Sequence, residues 1–481
     1  MVFLIAGQYK KIGRTPEKIT LDAIISCFKL EKDHLLHIMD SIQSAFNRGL
    51  ASDADSFLYH PIKMLNTHLM VVPNGSETGR FVALDLGGTN LRILAISVVG
   101  GGLSPTSLSF EVPPNIQTGT AEQLFDYIAD RIDEGLEKLG FKDVDVEFMG
   151  FTFSFPCHQT ALNSGELIRW TKGYSATGVE GHDVVAMLRD SCHKKGLKIH
   201  DFVLINDTTG TLLSGAFEYN GCTIGVINGT GTNACYLEKI TEISKWQGPS
   251  TCDSVVINTE WGSFGENGEL NRYSTEVDAL VDKESINPGR QIFEKMISGM
   301  YVGNIVRHVI IIASNNGIIF NGDLPPKMRN VDSFPTSLVS DVYKKHLFLN
   351  RFYEIFDYHL DDEQYNSMLK VCDAVSKRAA GLCAAGLSAL IVRISTKSCH
   401  IAADGSMFRR HTTFLKYVNE YIRQILPEYM DFNIFLVYDG SGKGAALAAC
   451  VVKENLKTTR SESNLCPSPE LPNNQQQYHS Q

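Results

Sequence analysis

The 481-residue sequence predicts an α/β protein built from two similar halves. Stretches of strand-like composition alternate with stretches whose apolar residues recur at helical spacing, which is typical of an α/β architecture. In addition, FVALDLGGTNLRI (81–93) and CTIGVINGTGTNACYL (222–237) each place a turn containing Gly, Thr and Asn between two apolar strands. This internal repeat, which we call the glycine-turn echo, predicts that each half donates a glycine hairpin to a shared cleft. Coincidence is the alternative, because glycine and asparagine favour hairpin turns in any fold.

The individual elements are predicted from the same two patterns, strand-like composition and the helical spacing of apolar residues. Helices are predicted at about 15–48, 121–139, 277–312 and 372–390. Strands are predicted at 81–99 around LGGTN, in VEFMGFTFSFP, in FVLIND, and on both sides of the turn in CTIGVINGTGTNACYLEKI. Near the end, KSCHIAADGSMF and FNIFLVYDGSGKGAALAACVV each predict a strand, a glycine turn and a helix. The polar, proline-containing segment 457–481 has too few apolar residues to order itself, so we expect it to be disordered.

Composition narrows the class of protein. An apolar content of 43% and a charged content of 20% are ordinary for a soluble globular chain. The net charge of −10 argues against nucleic acid as a partner. Eleven cysteines without a C-x-x-C pair indicate reduced thiols and a cytoplasmic location. No integral membrane association is expected, since no apolar run approaches about 18 residues. The apolar start VFLI leaves open a weak contact with an organelle surface, a disordered end being the alternative.

Two glycine turns are suited to binding phosphate. Gly87-Gly88 and the pair Gly229 and Gly231 let the backbone approach an anion with its N–H groups turned inward. Further donors in these turns are Thr89, Asn90, Thr230 and Thr232. Asp85, two residues before the first turn, could orient Mg²⁺ through its water shell.

The sequence GSGKG (440–444) is not a Walker A loop, because Gly442-Lys443 is followed by glycine rather than Ser or Thr. It also fits a loose dinucleotide fingerprint, but the chain ends too soon afterwards for the rest of that motif. A helix N-terminus facing a nucleotide remains the reasonable interpretation, both here and at Asp404-Gly405-Ser406.

The stretch FVLINDTTGTLL (202–213) places Asp207 where an apolar strand ends and a helix begins. Short oxygen side chains at such a junction commonly cap the helix. Capping by Asp207 or Thr208 and a chemical role for Asp207 are therefore both open at this point.

Several other polar side chains interrupt apolar surroundings. Each has a structural explanation alone, as a buried hydroxyl, a solvated charge or a strand-end carboxylate. Together they form a donor and acceptor set suited to a polyol, which needs several hydrogen bonds to offset lost hydration. They are Ser154, Thr171, Lys172, Asn206, Asp207, Asn233, Glu260 and Glu294.

These motifs carry a family resemblance. LDLGGTN, FTFSFPC, LIRWTKGY, VEGHDVV, INDTTGT, GTGTNACY, EWGSFG and EKMISGMY closely resemble eukaryotic-type hexokinases of a single catalytic unit, in register from about Thr20 to Val452. The resemblance implies the actin/Hsp70/sugar-kinase fold, in which two α/β lobes, each with a mixed sheet, close on a cleft. It further implies a large lobe of residues 15–75 and 206–443 and a small lobe of residues 76–205 and 444–456.

The resemblance also implies the reaction, which is transfer of the γ-phosphoryl group of MgATP to the 6-hydroxyl of a hexose in the first step of glycolysis. Glucose is the expected hexose, with fructose and mannose left open. Asp207 would be the catalytic base with Lys172 beside it, and the eight polar residues above would hold the sugar. Thr208 would then cap the helix. The implied nucleotide contacts are Asp85, Leu86, Gly87, Gly88, Thr89, Asn90, Thr230, Asp404, Gly405, Ser406 and Ser441.

Thr336 and Ser340, in FPTSLVS, also fall where the family contacts the nucleotide, although the neighbouring Pro335 and Ser337 depart from its usual acidic and basic residues. Two other functions remain as alternatives, a catalytically silent sugar sensor and an ATPase or filament-forming protein of the same fold. The intact base, lysine and glycine turns argue against the sensor. The WTKGY and EWGSFG strings argue against the ATPase.

Overall fold

The computed structural model of the chain describes residues 19–51, 60–88, 90–246, 248 and 252–465, with side chains as far as residue 455. Its strands are β1 Leu65–Asn66, β2 Gly79–Leu86, β3 Asn90–Val99, β4 Gly102–Glu111, β5 Val146–Phe153, β6 Cys157–Ala161, β7 Ser164–Leu167, β8 Ile199–Ile205, β9 Cys222–Asn228, β10 Thr232–Lys239, β11 Ser254–Asn258, β12 Ser398–Asp404 and β13 Asp431–Leu436.

The α-helices fill most of the intervals between strands. They are α1 Leu21–Ile25, α2 Lys32–Leu50, α3 Pro114–Gln117, α4 Ala121–Lys138, α5 Val184–Lys194, α6 Asp207–Glu218, α7 Glu276–Glu284, α8 Ile292–Ile297, α9 Val302–Asn315, α10 Thr336–Asp341, α11 Lys345–Phe356, α12 Asp362–Ile394, α13 Ser406–Arg410, α14 Phe414–Ile425 and α15 Gly440–Leu465. Short 3₁₀ turns lie at Ser26–Phe28, Ile240–Glu242, Trp261–Ser263, Phe320–Gly322 and Pro326–Arg329.

The two large sheets have the same topology. The first has the strand order β4-β3-β2-β5-β8, and the second has the order β11-β10-β9-β12-β13 with β1 added at its edge. In each, the first three strands pair antiparallel and the last two join in parallel. The duplicated order confirms the two similar halves predicted from the glycine-turn echo.

The helices that follow the last strand of each sheet cross to the other sheet. Helix α6 follows β8 but packs on β9, β10 and β12, whereas α15 follows β13 but packs on β2, β5 and β8. The two helices also pack on each other, where a Cβ at Gly444 would stand 2.1 Å from the carbonyl oxygen of Gly210. Only glycine permits so close a crossing. The start of α6 therefore lies where the two sheets are joined; the lobe boundaries given above stay a prediction.

Helix α12 forms the centre of the larger core. By length and composition it is the one helix in the described residues that could cross a membrane, with a mean hydropathy of 1.4 in its most apolar window. However, 89% of that window is buried inside the protein, which is the pattern of a core helix.

Three sequence predictions about helices need correction, two of them because the predicted helix is divided and one because the helix is longer. The pattern at 15–48 divides into α1, a 3₁₀ turn and α2, because Glu31 starts a new helix with its N–H donating to His34; residues 15–18 lie outside the described residues. The pattern at 277–312 divides into three helices. Pro288 cannot continue a helix between α7 and α8, and α8 ends where Ser298 takes an extended backbone. Helix α15 continues to Leu465, into the segment predicted to be disordered, because extending an anchored helix is easier than starting one.

Candidate active site

The junction between β8 and α6 is capped by Asn206. Its Oδ1 accepts hydrogen bonds from the backbone N–H of Thr209 (2.8 Å) and from Thr208 Oγ1 (3.0 Å). The prediction that Thr208 caps the helix is therefore wrong, since Asn206, two residues earlier, has the extended backbone that a cap needs. Asp207 occupies the first helical position, with 24% of its side chain exposed. The amide Nδ2 of Asn206 is buried and has no hydrogen-bond partner among the described residues.

Lys172 lies opposite Asp207. Its Nζ is 3.8 Å from Asp207 Oδ2 and donates a 2.8 Å hydrogen bond to the carbonyl oxygen of Ser154. Lys172 has a φ of 56°, a left-handed conformation that non-glycine residues adopt rarely and that is often found at functional sites. Thr171 precedes it, and its carbonyl closes the turn by accepting from the N–H of Tyr174. The structure thus brings these predicted sugar residues to the start of α6.

A second polar cluster is formed by residues at the ends of β10 and β11. Glu260 Oε1 accepts from Asn258 Nδ2 (2.9 Å) and Asn233 Nδ2 (3.1 Å). Asn233 Oδ1 in turn accepts from the backbone N–H of Glu260 (3.0 Å), whose φ of 54° is also left-handed. Asn258 was not among the predicted residues, although its place at the end of a strand, two residues before Glu260, could have pointed to it.

Glu294, from α8, reaches the second glycine turn. Its Oε2 accepts from the backbone N–H of Thr232 (2.9 Å). A Cβ on Gly231 would stand 2.5 Å from the same oxygen, so glycine is required for this approach.

The carboxylates of the site influence one another. Burial raises the pKa of Glu294 to about 7, against the opposing effects of the Thr232 N–H and Lys172. Burial also raises the pKa of Glu260, with a further increase from the negative charge of Asp207 and opposing effects of Asn258 and Lys172. Asp207 and Lys172 therefore lie near enough to Glu260, and Lys172 and Glu260 near enough to Glu294, for their charges to act on these two buried carboxyls.

The glycine turns border this site from both sheets. A Cβ on Gly88 would lie 3.4 Å from the Cβ of Lys172, which places the first turn beside the lysine. The second turn packs against the start of α13, since a Cβ on Gly229 would lie 3.6 Å from Gly405 and 3.7 Å from Ser406. Thr230 is exposed at its tip.

Asp404 joins the second turn to the last helix. Its Oδ2 accepts from the N–H of Gly440 (3.2 Å), next to Ser441. Four of the predicted nucleotide residues, Thr230, Asp404, Gly405 and Ser406, are therefore neighbours. Leu86 is buried, Gly87 closes the first turn by donating to the carbonyl of Asn90 (2.9 Å), and Thr89 lies outside the described residues.

Asp85 takes part in a charged network that the sequence did not reveal. Its Oδ2 accepts from the guanidinium of Arg92 and from Ser441 Oγ (3.0 Å), while Arg92 Nη1 donates to Asp439 Oδ1 (2.6 Å). Asp85 and Arg92 face each other across the β2–β3 ladder, which is a register that could have indicated the pair. We call Asp85, Arg92, Asp439 and Ser441 the hairpin–helix network.

Mg²⁺ fits this arrangement only if it binds together with a phosphate ligand. The hydrogen bonds that the Asp85 carboxylate makes with described residues all fall on Oδ2, which leaves Oδ1 for a water of the ion. Within the described ranges no cluster of three or more His, Cys, Asp or Glu side chains could hold a metal ion. Mg²⁺ commonly binds through one carboxylate and substrate phosphates.

Thr336 and Ser340 make their hydrogen bonds within the protein. Thr336 Oγ1 accepts from the N–H of Gly303 (2.9 Å). Ser340 is 8% exposed, and its hydroxyl donates to the carbonyl of Arg410 (3.1 Å) and accepts from the N–H of Thr412 (3.2 Å). Their contact with a nucleotide stays a prediction.

Two lobes of one topology, a glycine turn from each, and a cluster of carboxylates, amides and a lysine between them are the features of a sugar kinase. Comparison with known proteins defines the family. Family models described as hexokinase match residues 20–217 and 223–451. The chain belongs to the hexokinase family.

Individual relatives agree with this assignment. The chain is 38% identical over 441 residues to the hexokinase of Schistosoma mansoni, covering 90% of this chain and 97% of that protein. It is 38% identical over 450 residues to human hexokinase-3, covering 92% of this chain but 48% of that protein, so it spans about half the human protein's length. The solved structure of the Schistosoma mansoni hexokinase complexed with glucose superposes with a TM-score of 0.82 at 37% identity, covering 90% of this chain and 98% of that one.

Proposed function

We propose that the protein transfers the γ-phosphoryl group of ATP to the 6-hydroxyl of a hexose, with glucose as the first candidate. The observation that carries the proposal is the Asp207–Lys172 pair, 3.8 Å apart at the junction of the two sheets and bordered by a glycine turn. Family membership supports the reaction class, and the relative complexed with glucose supports the choice of sugar.

The polar cluster would hold the sugar. The buried Nδ2 of Asn206 has no partner in the part of the chain that the structure describes and is suited to a hydroxyl oxygen, because an unpaired buried donor is costly. Glu260 and Glu294 are acceptors for sugar hydroxyls, and Ser154, Thr171, Lys172 and Asn233 complete the set. A polyol needs this many partners to replace its lost hydration.

Asp207 would accept the proton of the attacking hydroxyl. A carboxylate, with a reference pKa of about 3.9, is a weak base toward a neutral alcohol. It becomes effective late, once the oxygen has begun to bond to phosphorus and its proton has become acidic. Phosphoryl transfer passes through a loose transition state, so positioning and charge stabilisation do most of the work. Lys172 would supply positive charge to the phosphoryl oxygens.

MgATP would bind along the two glycine turns as a substrate. The proposed contacts are Asp85, Leu86, Gly87, Gly88, Thr89, Asn90, Thr230, Asp404, Gly405, Ser406 and Ser441, with Thr336 and Ser340 as further candidates. The magnesium ion neutralises phosphate charge, and Asp85 Oδ1 would orient one of its waters. A cytoplasmic location and a contact of the N-terminus with an organelle also stay predictions, the latter outside the described residues.

A coupled assay tests the proposal directly. The full chain with MgATP and glucose should form glucose 6-phosphate at a rate that depends on both substrates. A sugar sensor would bind glucose without forming product, whereas an ATPase of this fold would release phosphate without needing sugar. Fructose and mannose in the same assay define the hexose preference.

Hexose affinity is expected to increase between about pH 6 and pH 8. The pKa of Glu294 is raised to about 7 by burial, so near neutral pH part of the protein carries this carboxyl protonated. A sugar hydroxyl donates to the ionised form, and binding then releases a proton; below the pKa, affinity should fall up to about tenfold per pH unit. The same raised pKa lowers the stability of the sugar-free protein as the pH rises from about 4.5, the ordinary pKa of the carboxyl, to about 7, because ionisation is easier in the unfolded chain.

Calorimetry in buffers of different ionisation enthalpy measures this proton release. Glu294→Gln is the control, which should bind hexose more weakly and with little dependence on pH. A hexose affinity that stays flat or falls from pH 6 to pH 8 in the unmodified protein would contradict the assignment.

A further inference from the structure

We infer that a cavity of about 210 Å³ beside the sugar cluster is a binding site for a phosphate group, separate from the glycine turns. The residues that argue for it are His60, Lys63, Arg169, Ser263, Glu266 and Arg290, which line its walls. None of them belongs to the proposed sugar or nucleotide set. The inference does not depend on the proposed function, since binding can be measured without catalysis.

The cavity adjoins the sugar site through the chain. Arg169 lies two residues before Thr171, and Glu266 follows the segment that carries Glu260. Arg290 directly precedes Gln291, whose Oε1 accepts from Ser263 Oγ (3.2 Å) at the entry to α8. With the segment that carries His60 and Lys63, four separate segments thus place their side chains around one space next to the sugar residues.

The walls carry an excess of positive charge. Glu266 is the one carboxylate among the described lining residues, against two arginines and a lysine. Its two oxygens are already occupied, Oε2 by Arg290 Nη1 (2.9 Å) and Oε1 by the N–H of Gln291 (2.8 Å). Arg169 makes no hydrogen bond or ion pair with any described residue.

The cations also repel one another. The pKa of Lys63 is lowered, first by burial and then by the charges of Arg169 and Arg290, against the opposing charge of Glu266. Like charges held together at a partly buried site cost free energy, which a bound anion would recover.

A phosphate group is the anion that fits these donors. The guanidinium group of arginine presents paired N–H donors that match phosphate oxygens, and a lysine adds a point charge. The cavity holds the volume of about seven water molecules at about 30 Å³ each, enough for a phosphate group and its attached atoms. Inorganic phosphate and a phosphate monoester share this chemistry.

Titration calorimetry of the full chain with inorganic phosphate, at constant ionic strength set with chloride, tests the site. We expect one phosphate to bind, and Arg169→Gln and Arg290→Gln each to weaken it about tenfold or more. Arg329→Gln removes an equal charge from a surface outside the cavity and should leave the affinity unchanged. Thr230→Ala, in the second glycine turn, should also leave it unchanged. The inference would be overturned if the unmodified protein bound no phosphate, or if the two cavity variants bound phosphate as tightly as it does. It would also be overturned if only Thr230→Ala lost phosphate binding.

Glu266→Gln gives a prediction in the opposite direction. Removing the carboxylate that competes for Arg290 should tighten phosphate binding severalfold, and this variant decides the matter if the arginine variants do not fold. Unchanged or weaker binding by Glu266→Gln would then overturn the inference. A second titration with glucose 6-phosphate, in saturating glucose, distinguishes the sources. If the arginine variants bind glucose 6-phosphate more weakly than the unmodified protein does, the ligand is a phosphate monoester. If they bind glucose 6-phosphate equally well but inorganic phosphate more weakly, the ligand is the free ion.

Discussion

Replacing Asp207 with alanine is expected to lower kcat by about 10²–10⁴-fold, the range of a general base, while hexose binding and stability largely persist. Stability should persist because Asn206, not Asp207, caps α6. The Asp207 carboxylate contributes to the helix only as a negative charge in its first turn, an effect of about 0.3–1 kcal/mol. Product formation per folded molecule, hexose affinity by calorimetry and thermal unfolding measure the three quantities separately.

Asn206→Ala is the matched control, one residue away. It removes the cap, at a cost of about 1 kcal/mol, together with the unpartnered Nδ2, so both unfolding temperature and hexose affinity should fall. Asp207→Asn keeps the shape of the side chain and should be as inactive as the alanine variant. If Asp207→Ala lost stability but kept kcat per folded molecule, Asp207 would be a structural residue and the proposed mechanism would fail.

These neighbours also show where sequence reasoning reaches its limit. Asn206, Asp207 and Thr208 are all competent caps, and the choice among them depends on which residue is the last to keep an extended backbone after β8. The hydrophobic pattern identifies the junction but does not define that direction. The position of the cap therefore became visible only in the folded chain.

The fold was predictable where local patterns repeat. The two glycine hairpins, each flanked by apolar strands, indicated a duplication that the matching sheet orders confirm. The crossing of α6 and α15 onto each other's sheets was not predictable, because it depends on contacts between Gly210 and Gly444, far apart in the chain. Small residues in a helix have many explanations, and the sequence does not say which one applies.

The candidate site was likewise predictable only in part. A polyol-binding set followed from polar residues in apolar surroundings, but the role of each residue came from family resemblance. The elevated pKa of Glu294 depends on burial among residues of other segments, and no spacing encodes it. The hairpin–helix network joins positions 92 and 439, separated by 347 residues, which a single sequence does not connect.

Replacing Arg92 with methionine is expected to destabilise the protein by about 3 kcal/mol, the lower end of the range for breaking a buried ion pair. The side chain of Asp85 is 7% exposed, so its charge would remain buried without its partner. The lower end applies because Arg92 itself is 30% exposed and water can reach part of the pair. Denaturant unfolding measures the difference.

Arg80→Met is the control, also a loss of one arginine on the same sheet. Arg80 is exposed and stacks on the ring of Phe141 at 4.4 Å, so its loss should cost less than about 1 kcal/mol. The double variant Asp85→Asn with Arg92→Met should regain much of the stability, because no unpaired charge is then buried. If it were no more stable than Arg92→Met, the unpaired charge of Asp85 would not be the cause.

Arg92→Met should also weaken the binding of ATP, beyond its effect on folding. Arg92 connects the β2–β3 hairpin, which carries the first glycine turn, to Asp439 at the start of α15. Losing that connection leaves the Asp85–Ser441 hydrogen bond to hold the turn near α15 without Arg92, so the turn can shift on the proposed nucleotide side, whereas the sugar cluster is held by other contacts. Assayed at a temperature where Arg92→Met is fully folded, KM for ATP should rise while hexose affinity changes little. A variant that lost hexose and ATP affinity equally would indicate a general loosening of the fold instead.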